Sequence, residues 1–341
     1  MRLRRYKDVE ERKLEWLWEG RIPMGQVTMI AGDPGTGKSQ LTCWMTAAVT
    51  TGSSWPDGSR APRGSVVMLN AEDDPGPVIR PRLRACGADL DQVLVLEEED
   101  DLFTVPDTLP GLERTLAKLA IPAKLIVIDP AEAWMSPRVD LRNNQSCRRA
   151  LRPLGEMASR LGLAVVMVQH MPKDTTRPAI YRFSGSIGVI GAARAGFLVE
   201  HKGGLSVLAP AKINWAEKPE SLAYQMESVE YDSPGGVVKT SRIRWRMPPL
   251  DADADDFSLR EGETPSDIKE AVQFLQRFLR DGGRRIDEVR AAAKAEGIAA
   301  GALRTAAKFL GIHRTESMNG KGPIYFWELM DHFVFDPEGF H

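Results

Sequence analysis

Val27-Thr28-Met29-Ile30-Ala31-Gly32-Asp33-Pro34-Gly35-Thr36-Gly37-Lys38-Ser39 decides how the rest of the chain is read. The apolar run Val27 to Ala31 predicts a short buried strand, and a glycine-rich turn follows it. Ser39 to Thr50 then has the small and apolar content of a helix packed on a sheet. The turn fits G-x-x-x-x-G-K-[ST] without mismatch, and it lies between a predicted strand and a predicted helix, where the pattern has mechanical meaning. Glycine lets the backbone N–H groups turn inward around a β-phosphate, and the helix adds its positive N-terminal end. Lys38 offers a point charge to the β- and γ-phosphates, and the Ser39 hydroxyl is a ligand for Mg²⁺. Gly32, Asp33, Pro34, Gly35, Thr36, Gly37, Lys38, Ser39 and Gln40 form the candidate nucleotide-binding set.

Working outward, the strands Val66–Asn70, Leu125–Asp129 and Ala164–Gln169 are near-continuous apolar runs. Such runs belong to parallel sheets covered on both faces. A helix is predicted from Asp74-Pro75 to about Cys86, a short strand over Val93–Leu96, and a helix over Gln145–Leu161 that Pro153 kinks or restarts. Asp129 closes its strand where the second magnesium ligand belongs. Asn70-Ala71-Glu72-Asp73-Asp74 places carboxylates after the neighbouring strand, on the same sheet edge. Asp73 and Asp74 are the better helix caps, which leaves Glu72 as the candidate general base. Gln169 and His170 end the next strand beside the phosphate, where they are placed to sense its γ-group.

Beyond Ala195 the texture changes. Gly196–Glu200 and Leu205–Ala209 flank a glycine turn and predict a β-hairpin, followed by further short strands through Trp245. Pro248-Pro249 and the acidic run Asp251–Asp256 predict a linker. Helices over Ser266–Arg280, Arg285–Glu296 and Ala299–Leu310, with a strand at Ile324–Leu329, predict a small winged-helix-like module. The expected division is therefore 1–247, 248–263 and 264–341, with an α/β core of mostly parallel strands.

The chain has 341 residues, a net charge of −2, and 43% hydrophobic against 27% charged residues, so nucleic-acid contact would come from local loops rather than a global basic field. Three separated cysteines without a zinc-type partner predict reduced thiols in a cytoplasmic setting. No apolar stretch is long enough to span a bilayer. Trp16 and Trp18, near the start, read as core or interface anchors.

The order of these signals, a P-loop, an acidic NAED turn, an LIVIDP strand and VVMVQHMPK, resembles RecA-like P-loop ATPases of the hexameric replicative helicase type, especially plasmid and phage RepA-like helicases in the wider AAA-annotated set. The resemblance covers roughly residues 8 to 230. It implies ATP and Mg²⁺ as cofactors, a ring of identical subunits of the hexamer type, and DNA, single-stranded or duplex, as the partner. It matches Glu72 to the catalytic glutamate, Asp129 to the Walker B aspartate, and His170 to the histidine of an H-x-x-K signature with Lys173. A trans-acting arginine corresponds to Arg194, with Arg182 as competitor, and Lys212 resembles a second trans-acting cation. The chain is short before its first strand, which implies a separate primase or initiator. Loop residues Arg177 and Arg182 fall where such motors place DNA, although a loop closing the nucleotide interface is an equal reading. Arg304 and Lys308 share one face of the predicted recognition helix, and protein docking stands as the alternative for that module. An ATP-switched DNA-binding regulator or initiator, or a recombination-type ATPase without unwinding activity, is the competing functional reading. A small-molecule kinase would need an arginine-rich lid and an acceptor site, which the sequence does not display.

Overall fold

A computed structural model describes residues 3–96, 103–141, 143–171, 187–202, 205–250, 254, 265–319, 322–329 and 333–335. Near the start, β1 (Trp16–Trp18) and β2 (Ile22–Pro23) form a small antiparallel pair. The main sheet then gathers β3 (Val27–Gly32), β4 (Ser65–Asn70), β5 (Val93–Val95), β6 (Ala123–Asp129), β7 (Ala164–His170), β8 (Ala195–Lys202), β9 (Leu205–Ile213), β10 (Ser221–Ser233) and β11 (Gly236–Leu250), with β15 (Phe333–Phe335) at its edge. Its order is β15-β11-β10-β9-β8-β3-β7-β6-β4-β5. The run from β8 to β5 is parallel, and everything from β9 to β15 is antiparallel.

The apolar runs explain this arrangement. β3 is buried along its whole length, so it needs cover on both faces, and crossover helices provide that. On one face α1 (Lys38–Thr51) contributes Leu41, Trp44, Met45, Ala48 and Val49 to a core with Ile30, Val66, Val127 and Phe197. On the other, α3 (Leu109–Leu116) and α4 (Asn144–Leu161) pack Leu112, Leu151, Leu154 and Ala158 on Met29, Ile126 and Met167. The result is an α/β core in which β7 separates β3, which leads into the glycine-rich turn, from the Asp129 strand.

Several boundaries differ from the sequence expectation. Pro153 stays inside α4, which runs unbroken from its Asn143 cap, where the side chain accepts from Gln145 N and Ser146 N, to Gly162 in the left-handed region. The predicted helix after Asp74 is a π turn, Pro75–Ile79, continued by α2 (Arg80–Ala85). The short strands expected before Trp245 are one long hairpin, β10 and β11, closed at Ser233↔Gly236. Pro248-Pro249, read as linker, lie in β11 at a register break between Ser221↔Leu250 and Ala223↔Arg246. Proline is tolerated at such a bulge because no ladder donor is lost there.

The C-terminal part runs helix Pro265–Phe278, β12 (Arg284–Arg285), helix Ile286–Ala295, helix Ala300–Phe309, β13 (His313–Asn319) and β14 (Gly322–Glu328). The strands form a separate sheet of order β12-β14-β13. Ile268, Val272, Leu275, Val289, Leu303 and Phe309 join the same apolar cluster as Val207, Ala223 and Leu250 of the main sheet. Backbone pairing of β15 with Trp245, Arg246 and Met247 adds a second tie.

Beneath α1, Trp18, Trp44, Trp55 and Trp245 form a connected aromatic group; Trp18 and Trp55 stack at 4.7 Å between centroids and 4° between planes. Trp18 Nε1 donates to Asp57 Oδ2 at 2.7 Å, and Trp55 Nε1 to Leu17 O at 3.0 Å. Trp18 is thus a core anchor, whereas Trp16 is half-buried. Replacing Trp55 by alanine empties that stack and is expected to cost about 3–5 kcal/mol in a denaturant titration. Tyr6→Ala, at a residue 93% exposed, is expected to change stability by less than about 0.5 kcal/mol; equal effects would contradict the assignment of the tryptophan group to the core.

Candidate functional site

β3 delivers its last residue, Gly32, into a place only glycine fits: a Cβ there would lie 2.3 Å from Val199 O of β8. The chain then turns through Pro34 and Gly35, both exposed, and re-enters at Thr36, which is buried. Gly37 caps α1 with φ at +91°, in the left-handed region that favours glycine. Outside the loop, the Ser206 hydroxyl donates to Thr36 O at 2.8 Å, and the Tyr224 hydroxyl reaches Thr36 O and Gly37 O at 3.5 Å. These bonds turn loop carbonyls away from the concave side, where the amides are needed.

Lys38 is buried, and its Nζ donates to Gly32 O and Asp33 O, both at 2.8 Å. Burial lowers its pKa, while Asp129, Asp33, Glu72 and Glu132 act in the opposite sense. The Ser39 hydroxyl stands by the Asp129 carboxylate and acts to lower its pKa. Asp129 is only 2% exposed, burial raises its pKa, and Oδ2 has no partner among the described residues. The side chain of Gln40 points elsewhere: Nε2 donates to Ser241 O at 2.7 Å and Oε1 accepts from Ser241 Oγ at 3.3 Å, so it fastens α1 to β11. Only its backbone is left to face a phosphate.

The register explains how the acids converge. Asn70 pairs with Asp129, and Gly32 pairs with His170, so the carboxyl ends of β3, β4, β6 and β7 share one edge. Asn70 Oδ1 accepts from Glu72 N at 3.0 Å and Asp73 N at 2.8 Å, and Ala71 N donates to Asp129 O at 3.0 Å. Asp73 pairs with Arg82 at 2.5 Å, and Asp74 caps the following turn through Gly76 N. Glu72 is left with its carboxylate against His170, whose Nε2 lies 3.1 Å from Oε1 and 3.3 Å from Oε2.

Glu132 escaped the sequence reading. It sits in the 3-10 turn Ala131–Trp134 that follows Asp129, its pKa raised chiefly by burial and lowered in part by the Gln169 side chain. Its spacing of three residues from Asp129 was the available signal.

Other candidates lie elsewhere. Arg194 N donates to Val27 O, at the amino end of β3, and Gly196 pairs with Lys212. Arg194 therefore stands at the opposite rim, roughly 16 Å along the strand from Gly32, and Lys212, level with Met29, roughly 10 Å from it. Lys212 Nζ donates to the carbonyls of Ile190 at 2.9 Å, Gly191 at 3.4 Å and Ala193 at 2.8 Å, capping the short helix Ile187–Ala192. Burial first, then Arg194 and Arg148, lower its pKa. Arg177, Arg182 and Lys173 lie outside the described residues. Arg304 and Lys308 are exposed on one face of Ala300–Phe309.

The donor set at Ser39 and Asp129 is hard oxygen, with Asp129 Oδ2 unpartnered, and this fits Mg²⁺. Among the described residues no group of three or more metal-binding side chains exists. A magnesium ion held by one carboxylate, one hydroxyl and the substrate's own phosphates needs none.

A family profile described as an AAA domain matches residues 2–176, just over half of the chain. The chain belongs to that family. This AAA-domain protein is accordingly a P-loop ATPase at family level. Two curated relatives, both named DNA repair protein RadA and from Mycobacterium tuberculosis strains CDC 1551 / Oshkosh and ATCC 25618 / H37Rv, are 26% identical over 168 residues, 48% of this chain. The match spans 30% of those relatives' length. Among solved structures, one isolated ATPase domain aligns over 61% of this chain and 82% of its own, at 10% identity and a TM-score of 0.44. No helix among the described residues is long and apolar enough to cross a membrane.

Two substitutions test the site of the AAA-domain protein. Gly32→Ala forces a Cβ against Val199 O and is expected to lower stability by about 1–3 kcal/mol and to weaken ATP binding; unchanged binding and melting would contradict the close approach of β3 and β8. Lys38→Ala is expected to abolish binding of a fluorescent ATP analogue while leaving the circular dichroism spectrum intact.

Proposed function

We propose that this chain is an ATP-hydrolysing motor that acts on DNA as a homo-oligomer, a ring of the hexamer type, in the manner of a plasmid or phage replicative helicase. The observation that carries this reading is the separation of catalytic parts. Lys38, Ser39, Asp129, Glu72 and His170 meet at one rim of the sheet, while Arg194 stands at the other. Arg194 cannot reach its own P-loop, so a contribution to phosphoryl transfer must go to a neighbouring copy. A trans-acting arginine accelerates turnover by roughly 10³ to 10⁵.

In this reading Lys38 leaves the carbonyls of Gly32 and Asp33 for the β- and γ-phosphates. Glu72 accepts the proton of the attacking water. His170, bonded to Glu72, links the γ-phosphate position to the base and to the segment after β7. Ser39 and Asp129 would hold Mg²⁺, which would supply positive charge to offset that of the phosphates. The three free cysteines suit a reducing cytoplasm.

DNA is the proposed partner because the relatives carry the name of a DNA repair protein and because the C-terminal module presents cations. We read that module as winged-helix-like: a helix, a short strand, two helices and a hairpin follow in that order. Exposed Arg304 and Lys308 lie one turn apart on its last helix, suited to backbone phosphates. The same face favours the second reading, an ATP-switched DNA-binding regulator. A separate primase or initiator would complete the replicative role.

ATP turnover by the full chain is expected to rise at least about tenfold with single-stranded DNA at low salt and to lose that stimulation as salt rises. Stimulation absent at low salt, with tight sequence-specific duplex binding instead, would favour the regulator. Glu72→Gln is expected to bind ATP without turning it over. Mixed with Arg194→Ala, it is expected to restore activity, because an intact arginine then meets an intact site; inactivity of every mixture would contradict action in trans.

A further inference from the structure

The hairpin β10–β11 continues past the core, and its two faces differ in charge. Residues paired directly across two strands share a face. Gln225, Glu227, Val229 and Tyr231 of β10 therefore stand with Arg244, Arg242, Thr240 and Val238 of β11. Ala223 and Arg246 begin the same face, and Ala223 belongs to the apolar cluster that also holds Ile268 and Leu303 of the C-terminal helices. The other face carries Tyr224, Ile243 and Trp245 into the core beneath α1. Arg242, Arg244 and Arg246 alternate along one strand, which sets them about 6.8 Å apart in a straight row.

This face is short of negative charge. Glu227 is the one carboxylate on it between Ala223 and Tyr231 and between Val238 and Arg246. It accepts from Arg242 Nε at 3.0 Å and from Arg244 Nη1 at 3.5 Å, so one acid serves two guanidinium groups. Their side chains stay 44% and 43% exposed. Arg246 has a neutral partner, its Nη2 donating to Gln225 Oε1 at 3.4 Å, and burial lowers its pKa. Glu230 stands on the other face, paired with Lys239 at 2.8 Å. Arg84 of α2 adds a fourth cation, its guanidinium carbon 4.4 Å from the Tyr231 ring centroid, and Arg84 is exposed.

We propose that this face of β10–β11 is a track for single-stranded DNA, with phosphates on Arg242, Arg244 and Arg246 and a base on the Arg84–Tyr231 pair. Evenly spaced guanidinium groups suit a chain whose charge repeats evenly, and each can grip a phosphate through two N–H groups. A planar guanidinium held over a tyrosine ring is a surface on which a base can stack. Each strand of a duplex follows a fixed helical path, which a straight row of cations does not follow, whereas a single strand can extend along it. An acidic peptide would answer the charge but leave the stacking plane unused. The inference rests on the DNA reading above and gives that partner a surface of its own.

Fluorescence anisotropy of a labelled oligothymidylate, titrated with the full chain at several salt concentrations, tests the track. The triple variant Arg242→Gln, Arg244→Gln, Arg246→Gln is expected to weaken binding by about tenfold or more at low salt. Its plot of log affinity against log salt is expected to be shallower by about 2, since each phosphate neutralised on a single strand contributes roughly 0.7. Melting temperature and binding of a fluorescent ATP analogue are expected to stay as in the native chain. Glu227→Gln removes the one acid and is expected to tighten oligothymidylate binding by about threefold, a gain that misfolding cannot imitate. Native affinity and salt slope in the triple variant would overturn the proposal. So would a triple variant that loses binding of labelled oligoglutamate while keeping that of oligothymidylate, which would assign the face to an acidic peptide. A native chain that binds no single strand even at low salt would sink the DNA reading itself and this inference with it, an outcome distinct from a fault at the three arginines.

Discussion

The approach of the Ser39 hydroxyl to the Asp129 carboxylate brings the first turn of α1 to the end of β6, and the rest of the molecule is arranged to make that approach possible. The two residues belong to strands that are not neighbours, since β7 runs between β3 and β6. They meet because all three strands are parallel and end within two residues of one another, with Gly32 opposite His170 and Ile128 opposite Met167. A slip of one residue in any of these pairings would carry the buried side chains of that strand to the other face and separate the hydroxyl from the carboxylate. Two continuous cores, one on each face of the sheet, keep that register.

Charge burial is the cost of this geometry. Asp129 and Glu132 are carboxylates drawn out of water, and burial pushes the pKa of each upward. Lys38, also buried, is pushed downward. The ammonium is stowed on the carbonyls of Gly32 and Asp33, so its donors are satisfied before a ligand arrives, and a triphosphate must offer it better partners. A phosphate does so because it meets the ammonium with a full negative charge, whereas a carbonyl offers only a dipole. The outer bonds from Ser206 and Tyr224 hold the loop open meanwhile, and Tyr224 is itself wedged against Trp245. The aromatic group beneath α1 therefore supports the phosphate cradle from behind.

The parallel half of the fold was legible in the sequence because its strands are buried on both faces and read as plain apolar runs. Gly32, Asp129, Glu72 and His170 could be placed from that logic alone. The outer half was harder. Beyond Tyr224 the hairpin β10–β11 alternates half-buried and exposed positions without a core to impose apolar content, so its length left little trace. Pro110 and Gly111 disguised α3, although proline in a first helical turn is permitted. Pro248-Pro249 signalled a linker because a register break cannot be seen in one strand by itself. Glu132 was missed since its relation to Gln169 is tertiary.

The P-loop stands at one rim of the sheet and Arg194 at the other. The claim beneath this account is that Ser39 and Asp129 together make the phosphate edge a magnesium–triphosphate site. Equilibrium binding of an ATP analogue to the full chain and to Asp129→Asn, each with Mg²⁺ and with chelator, tests it directly. The account predicts that magnesium tightens binding to the native chain and that most of this effect disappears in Asp129→Asn. An equal response to magnesium in both proteins would contradict it.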